Sequence, residues 1–551
     1  MKSRLLLTGL AAVVLTACGG GGDGGNGGTA TPAATTTKIS GTAATGAAMA
    51  NVTVTAKCAS GGGSAVTAAD GTFTISIDNA SRPCVLSATA ADGTVLHSVV
   101  EAGSGTSVTA NVSPFTELLT AALAQGSTDK FFSQFDAAAQ ARLTASSLST
   151  ATDTVRLTLT GVVDLAGVDP LKGALVAANN GKPGNAMDQL LDQLRDRLAT
   201  SRATVADLAT AIGSNAGSEA IGTILKTASA TCAGLRTGDY VLLAPGGTVG
   251  ALSIDAKALT LTPKAMTNVP ANVVAPLATV ASLAMSPASG EACRFDVDNN
   301  AFSMLVSSAG IALAMPSAGT VSAPNGAPAV IVPVQQLSLA ELAGNWNAFA
   351  MVGAGGASFT TARATFTLDA NGKMTAGSKC NDDNACVAWT GNELSTITKQ
   401  PGGYFLITDV TGPSVGVAFK GTDGQVTAVI SQQTGLMIAT KQVSRDLPVV
   451  GATNAYWDYV TFGDMSSQFT KASTRITSVD TVNGTYTRTR IEDNRLDMWR
   501  QNYPLTGLRY RARSVGADEA VQLTLGNTGI GVNLGLHVTK PYFDISVNRP
   551  K

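Results

Sequence analysis

Between Tyr456 and Arg513 the chain concentrates the side chains best suited to gripping a ligand. Tyr486, Arg488 and Arg490 alternate along one run, and Arg509, Arg511 and Arg513 along another. In a β-strand each trio would share a face. Arg495, Trp499, Arg500, Tyr503 and Tyr510 lie nearby. Guanidinium groups beside aromatic rings suit anionic glycans or phosphates, through forked hydrogen bonds and stacking. The ordinary alternative is neutralisation. Glu492, Asp493, Asp497, Asp518 and Glu519 are close enough in sequence to pair with these arginines across strands. The candidate binding set is therefore Tyr486, Arg488, Arg490, Trp499, Arg509, Arg511 and Arg513, and it predicts an exposed, unpaired surface.

Other motifs offer little chemistry. Gly412-Pro413-Ser414-Val415-Gly416 fits the GxSxG pattern, but a nucleophile elbow needs a strand, a sharp turn, a helix and a partner histidine. A β-type run follows this one, and the only histidines are His97 and His537. A chance match in Gly-rich sequence is expected. Asp296-Val297-Asp298-Asn299 opens like a calcium loop, yet Ala301 and Ser307 stand where Gly and Glu are needed. A solvated turn is expected there, and a polar hairpin tip at Asn381-Asp382-Asp383-Asn384. With no CxxC pair, no metal or cofactor is expected and no catalytic residue is assigned. An enzyme built on paired carboxylates is the rival reading, and predicts two acids facing across a cleft at roughly 5–9.5 Å.

The amino-terminal region carries an address. Lys2 and Arg4 precede an apolar stretch from Leu5 to Leu15, too short to span a bilayer but ordered like an export signal. The run Leu15-Thr16-Ala17-Cys18 resembles the lipobox of bacterial lipoproteins. That resemblance implies diacylglycerol on the Cys18 thiol, cleavage just before it and a further acyl chain on the new amino group. Multiple chains anchor stably where one does not. In such families Asp after the cysteine retains the protein at the inner membrane. Gly19 stands there, so the resemblance points to the outer membrane of a Gram-negative cell.

Composition agrees with a chain of several domains outside the cytoplasm. Its 551 residues suggest roughly three or four domains. Charged residues are 14% and the net charge is −1, so no global field recruits nucleic acid. Beyond the leader no apolar run approaches twenty residues, and the lipid is the expected membrane attachment. Setting Cys18 aside leaves six cysteines, an even number that reads as disulfides in an exported protein. They fall two by two into separate segments, favouring Cys58–Cys84, Cys232–Cys293 and Cys380–Cys386 among fifteen pairings.

The elements follow from periodicity. Residues 18–37, Gly-rich then Thr/Ala-rich, read as a flexible tether behind the 1–17 signal peptide. From 38 to 112 the period is two, as in Phe73, Ile75 and Ile77 between Thr72, Thr74 and Ser76, with turns at Asp70-Gly71 and Asp92-Gly93. About seven strands in this space predict a β-sandwich. Gly46 to Val54 with Ala69 to Ile75 resembles a carboxypeptidase regulatory-like domain, a transthyretin-like sandwich. The resemblance implies a folding or carbohydrate-binding-like module rather than peptidase activity.

Ser113-Pro114, followed by Phe115, Leu118, Leu119 and Leu123, opens a helical bundle expected over 113–230. A β-rich domain with a Pro-rich connector (Pro316 to Pro333) is expected over 231–337. Antiparallel β domains, barrels or a meander, are expected over 338–551. Ser338-Leu339-Ala340-Glu341 looks like a capping box. Gly344-Asn345-Trp346 after it resembles the GxW start of lipocalins, which implies carriage of a small apolar ligand above Trp346.

These readings give a multi-domain, mainly β protein: an N-terminal sandwich, a helical bundle, then antiparallel barrels or sandwiches. The expected role is non-catalytic, binding or structural, with envelope polysaccharide or another envelope protein as partner. Mass spectrometry of the protein recovered from membranes should find a diacylglycerol-modified Cys18 at its amino terminus, and Cys18→Ala should release it into the soluble fraction. An intact, unacylated leader on cytosolic protein would contradict the address.

Overall fold

The computed structural model describes residues 35–266, 269, 281–316, 327–354, 357–380, 386–409, 412–514, 516–536 and 540–550. Cys18 and its leader, most of the tether, Asn381 to Asn384 and His537 lie outside them. Within them the period-two runs become strands and the fold is mainly β, organised in five bodies along the chain.

The first is a sandwich of seven strands. Thr72–Asp78, Thr36–Thr42 and Ser107–Thr109 form one sheet; Gly62–Val66, Thr53–Ser60, Ser81–Thr89 and Val95–Val100 form the other. Its opening strand starts two residues inside the segment expected as tether. Phe73, Ile75 and Ile77 point inward between exposed neighbours, as their alternation requires. At the Asp70-Gly71 turn the Asp70 carboxylate accepts the Thr72 N–H at 3.0 Å, and Gly71 takes φ +80°.

The second body is helical. Ser113 caps Pro114–Ala124 through a reciprocal box with Thr116, and Thr204 with Asp207 does the same for Val205–Gly213. Val85 and Val99 of the sandwich join the apolar cluster of the helices, so the two bodies share a core. His97 is a joint between them. Its Nδ1 lies 2.9 Å from the Glu117 carboxylate, which also accepts the Thr128 hydroxyl at 2.6 Å, and both His97 and Glu117 are buried.

Three β bodies follow. Strands from Gly238–Leu243 to Ala329–Pro333 close an eight-stranded barrel. The Pro-rich stretch is thus not simply a connector: Ala312–Pro316 and Ala329–Pro333 are neighbouring staves. Pro316 and Pro333 sit at strand ends, where the ladder tolerates a missing N–H. Next comes an open nine-stranded sheet whose first long strand, Gly344–Val352, pairs with its last, Gly435–Lys441. The chain then crosses residues 442–452 into a second closed barrel of eight strands: Thr453–Phe462, Ser467–Asp480, Thr485–Arg490, Leu496–Gln501, Leu508–Arg511, Ala520–Thr524, Ile530–Gly535 and Tyr542–Asn548.

The three disulfides join Cys58 to Cys84, Cys232 to Cys293 and Cys380 to Cys386. One apolar cluster unites the three β bodies. The last barrel contributes Trp457, Tyr459, Val521, Leu523, Val532, Phe543, Ile545 and Val547, and the open sheet brings Phe349, Met351, Val417 and Ile438. In the last barrel these residues are on the outer wall. By the alternation of strands, the residues between them must face the lumen.

Candidate functional site

The arginine and aromatic residues singled out in the sequence do come together, but not on a surface. They line the inside of the last barrel. Tyr486 stands opposite Trp499, and Arg488 opposite Asp497, on paired strands; Trp499 in turn faces Arg511. Tyr486, Trp499, Asp497 and Arg511 are all buried. The expectation of an exposed, unpaired face is therefore corrected. An inward stripe and an outward stripe have the same period, and here the apolar stripe is the outer one.

Two of the seven are peripheral. Arg490 ends its strand and forks onto Asp493, with Nε at 2.7 Å. Arg513 lies beyond its strand, exposed, 3.3 Å from Asp518.

Asp497 organises the centre. It is 1% exposed and has three guanidinium groups around it: Arg495 at 3.0 Å, Arg488 at 3.5 Å and Arg511 at 3.5 Å. One carboxylate cannot neutralise three cations, and the Trp499 ring takes part of the remainder. Arg488, Arg511 and Arg509 sit 5.0, 5.2 and 5.4 Å from its centre, within range of its negative faces. Among the described residues Arg509 has Tyr486 as its polar side-chain partner, its Nη1 donating to the hydroxyl at 2.8 Å.

Across the lumen runs a belt of which the sequence reading found only Arg509. Gln501, Arg509, Gln522, Asn533 and Asp544 occupy facing positions on five consecutive strands. The signal for it was present as polar alternation, in Asp544, Ser546 and Asn548 or Asn454, Tyr456 and Asp458, but it carries no recognisable motif. Asn533 Nδ2 donates to Asp544 at 2.7 Å, and the Ser546 hydroxyl to Asp458 at 2.7 Å. Burial pushes the Asp458 carboxyl up to about 6, against the pull of Ser546 and Arg488. Burial and then the charge of Asp458 raise Asp544 well above the carboxylate range. The lumen encloses about 450 Å³. Among the described residues, Arg509 Nε, Gln522 Oε1 and Asp544 Oδ1 of this wall are buried with no hydrogen-bond partner.

The remaining motifs resolve plainly. Ser414 lies buried within the strand Gly412–Lys420, paired to Ile407, so no elbow exists. Asp296 is a strand residue whose carboxylate accepts the Ser303 hydroxyl at 2.8 Å. Among the described residues no cluster of His, Cys, Asp and Glu could hold a metal. Ser338 and Glu341 form a reciprocal capping box, and Trp346 Nε1 donates to the Leu342 carbonyl at 2.9 Å. Trp346 stacks on Phe366, which stacks on Trp389, so aromatic rings pack directly against it.

No family model matches the chain, and no curated protein matches it. Similar solved structures include a protein of unknown function of the DUF3598 family from Nostoc punctiforme, at 9% identity and a TM-score of 0.17, over 39% of this chain and 97% of that one. Kievitone hydratase from Nectria haematococca is similar at 9% identity and 0.14, over 39% and 92%. A mutant of transferrin binding protein B from Haemophilus parasuis is similar at 10% and 0.16, over 55% and 66%. Likeness at this level assigns nothing to the present chain.

A consequence for pH follows from Asp458. Folded, it keeps its proton to about pH 6, whereas an unfolded chain releases it near pH 4. Its contribution to stability is therefore greatest below about pH 4 and falls as pH rises towards 6, by about 3 kcal/mol. Chemical denaturation should show the wild type losing stability over this range relative to Asp458→Asn. Parallel pH profiles would contradict the burial of this charge.

Proposed function

We propose that this chain is a lipid-anchored protein of the bacterial cell envelope, held by Cys18, whose last barrel binds a sugar-like polar ligand and breaks no bond in it. One observation supports this reading above the others: a closed barrel whose lumen is polar, with unpartnered donors and acceptors in its wall. A ligand rich in hydroxyl groups would find hydrogen-bonding partners along this wall, among them Arg509, Gln522 and Asn533. Envelope polysaccharide, or a fragment of it, has this chemistry and is present where a lipoprotein would meet it.

The two other readings have less support. A carrier of apolar ligands needs space over Trp346, and Phe366 is stacked there at 5.7 Å between ring centres. A hydrolase needs one acid to stay ionised beside one that is protonated. Asp458 and Asp544, both raised by burial but to different extents, are the pair that would meet that need, and the search for new reducing ends below separates this reading from binding.

Calorimetric titration of the full protein with oligosaccharides prepared from envelope polysaccharide tests the reading. Gln522→Leu, which removes a lumen acceptor at nearly constant volume, should weaken binding at least tenfold, and incubation should release no new reducing ends. Undiminished affinity in Gln522→Leu would move the ligand out of the barrel. New reducing ends that vanish in Asp458→Asn would make the protein a hydrolase.

A further inference from the structure

We propose that the end of the last barrel where Arg445 meets Arg488 and Arg509 is an oxyanion site, taking a carboxylate or phosphate carried by the ligand in the lumen. This rests on the reading of the lumen as a ligand site and adds the charge the ligand must bear.

A second cavity of about 600 Å³ opens at this end. Its walls come from the barrel rim, from the 442–452 crossing and from the turn Asp423-Gly424-Gln425 of the open sheet. Asn454, Arg488, Arg509 and Thr524 line both cavities, so the two adjoin across these side chains.

Arg445 is fixed in place by its own backbone. Asn502 accepts its N–H at 3.0 Å and donates to its carbonyl at 2.9 Å. The guanidinium then reaches back to the barrel, donating through Nη2 to the Thr524 carbonyl at 2.9 Å and to Gln425 Oε1 at 2.5 Å. Those acceptors are neutral. Among the described residues neither Arg445 nor Arg509 forms an ion pair with a carboxylate, and both have a buried Nε with no partner there. Arg488 shares Asp497 with Arg495 and Arg511, and Asp458 also acts on it.

Two carboxylates do line the same cavity, Asp423 and Asp446. Asp423 is already committed: its oxygens accept the backbone N–H groups of Gln425 at 3.2 Å and Asn527 at 2.9 Å. Burial, and the like charge of Arg509, lower the Arg445 pKa even against the opposing pull of Asp423. Like charges that line one half-buried cavity are unfavourable until an anion joins them. Forked N–H donors match the planar carboxylate and the phosphate oxygens. The sequence pattern hid this arrangement, because Arg445 belongs to no strand and lies far from the other two along the chain.

Titration of the full protein with glucuronate, inorganic phosphate and glucose separates the possibilities. Glucuronate should bind at least tenfold more tightly than glucose if the anion is a sugar acid, and phosphate should bind while glucuronate does not if it is a phosphoryl group. Arg445→Gln, which removes the charge, and Arg509→Lys, which keeps it but loses the fork, should each abolish the anion's advantage. Circular dichroism checks that both variants fold. Equal binding of glucuronate and glucose, with none of phosphate, would overturn the oxyanion site and leave the sugar-binding lumen standing. Binding of phosphate without either sugar would support the oxyanion site and overturn the sugar reading. An absence of binding by all three, or an anion preference unchanged in both variants, would overturn the site.

Discussion

The last barrel depends on one carboxylate. Asp497 is out of reach of water and faces Arg488, Arg495 and Arg511, with Trp499 beside it. Removing one partner of a buried ionic group is costly because the others are left without compensation. Three cations on three different segments converge on this side chain, so it ties strands together through the lumen rather than along the backbone ladder. Buried charge of this kind is weak support for stability as such. What it does here is hold guanidinium groups in fixed positions inside a barrel.

A charged lumen is possible only because the apolar side of these strands has somewhere else to go. Trp457, Tyr459, Phe543, Ile545 and Val547 face outward and are covered by the open sheet and its neighbours. The driving force of burial is therefore met at an interface between β bodies, and the interior is released from packing. The first barrel adds Phe295, Val297, Met304 and Leu252 to the same apolar cluster.

This inversion explains what could be read from the sequence and what could not. Caps at Ser113, Thr204 and Ser338 depend on a few adjacent residues, and the strand alternation around Phe73 depends on local spacing, so both are local signals. The grouping of Tyr486, Arg488, Trp499, Arg509 and Arg511 was likewise visible, since period two places them on common faces. Which way those faces point was not visible. Alternation is symmetric, and only the partner covering the other face decides inside from outside. Arg445, Gln522, Asn533 and Asp544 were missed for a related reason: they meet through barrel closure and through the 442–452 crossing, contacts between residues up to a hundred positions apart. The Pro-rich segment ending at Pro333 misled in the opposite sense, since proline is compatible with a strand's last position.

Amide hydrogen exchange on the full protein carrying Asp497→Asn, compared with the wild type, probes the tie between Asp497 and its arginines. The substitution keeps the shape and removes the charge. If Asp497 holds the three guanidinium groups, the strands Thr485–Arg490 and Leu508–Arg511 should lose protection by about a hundredfold, which corresponds to roughly 3 kcal/mol. The sandwich of residues 36–109 should exchange as before. Unchanged protection in the barrel strands would mean that the arginines are held by something other than this carboxylate, and the charged lumen described here would not stand.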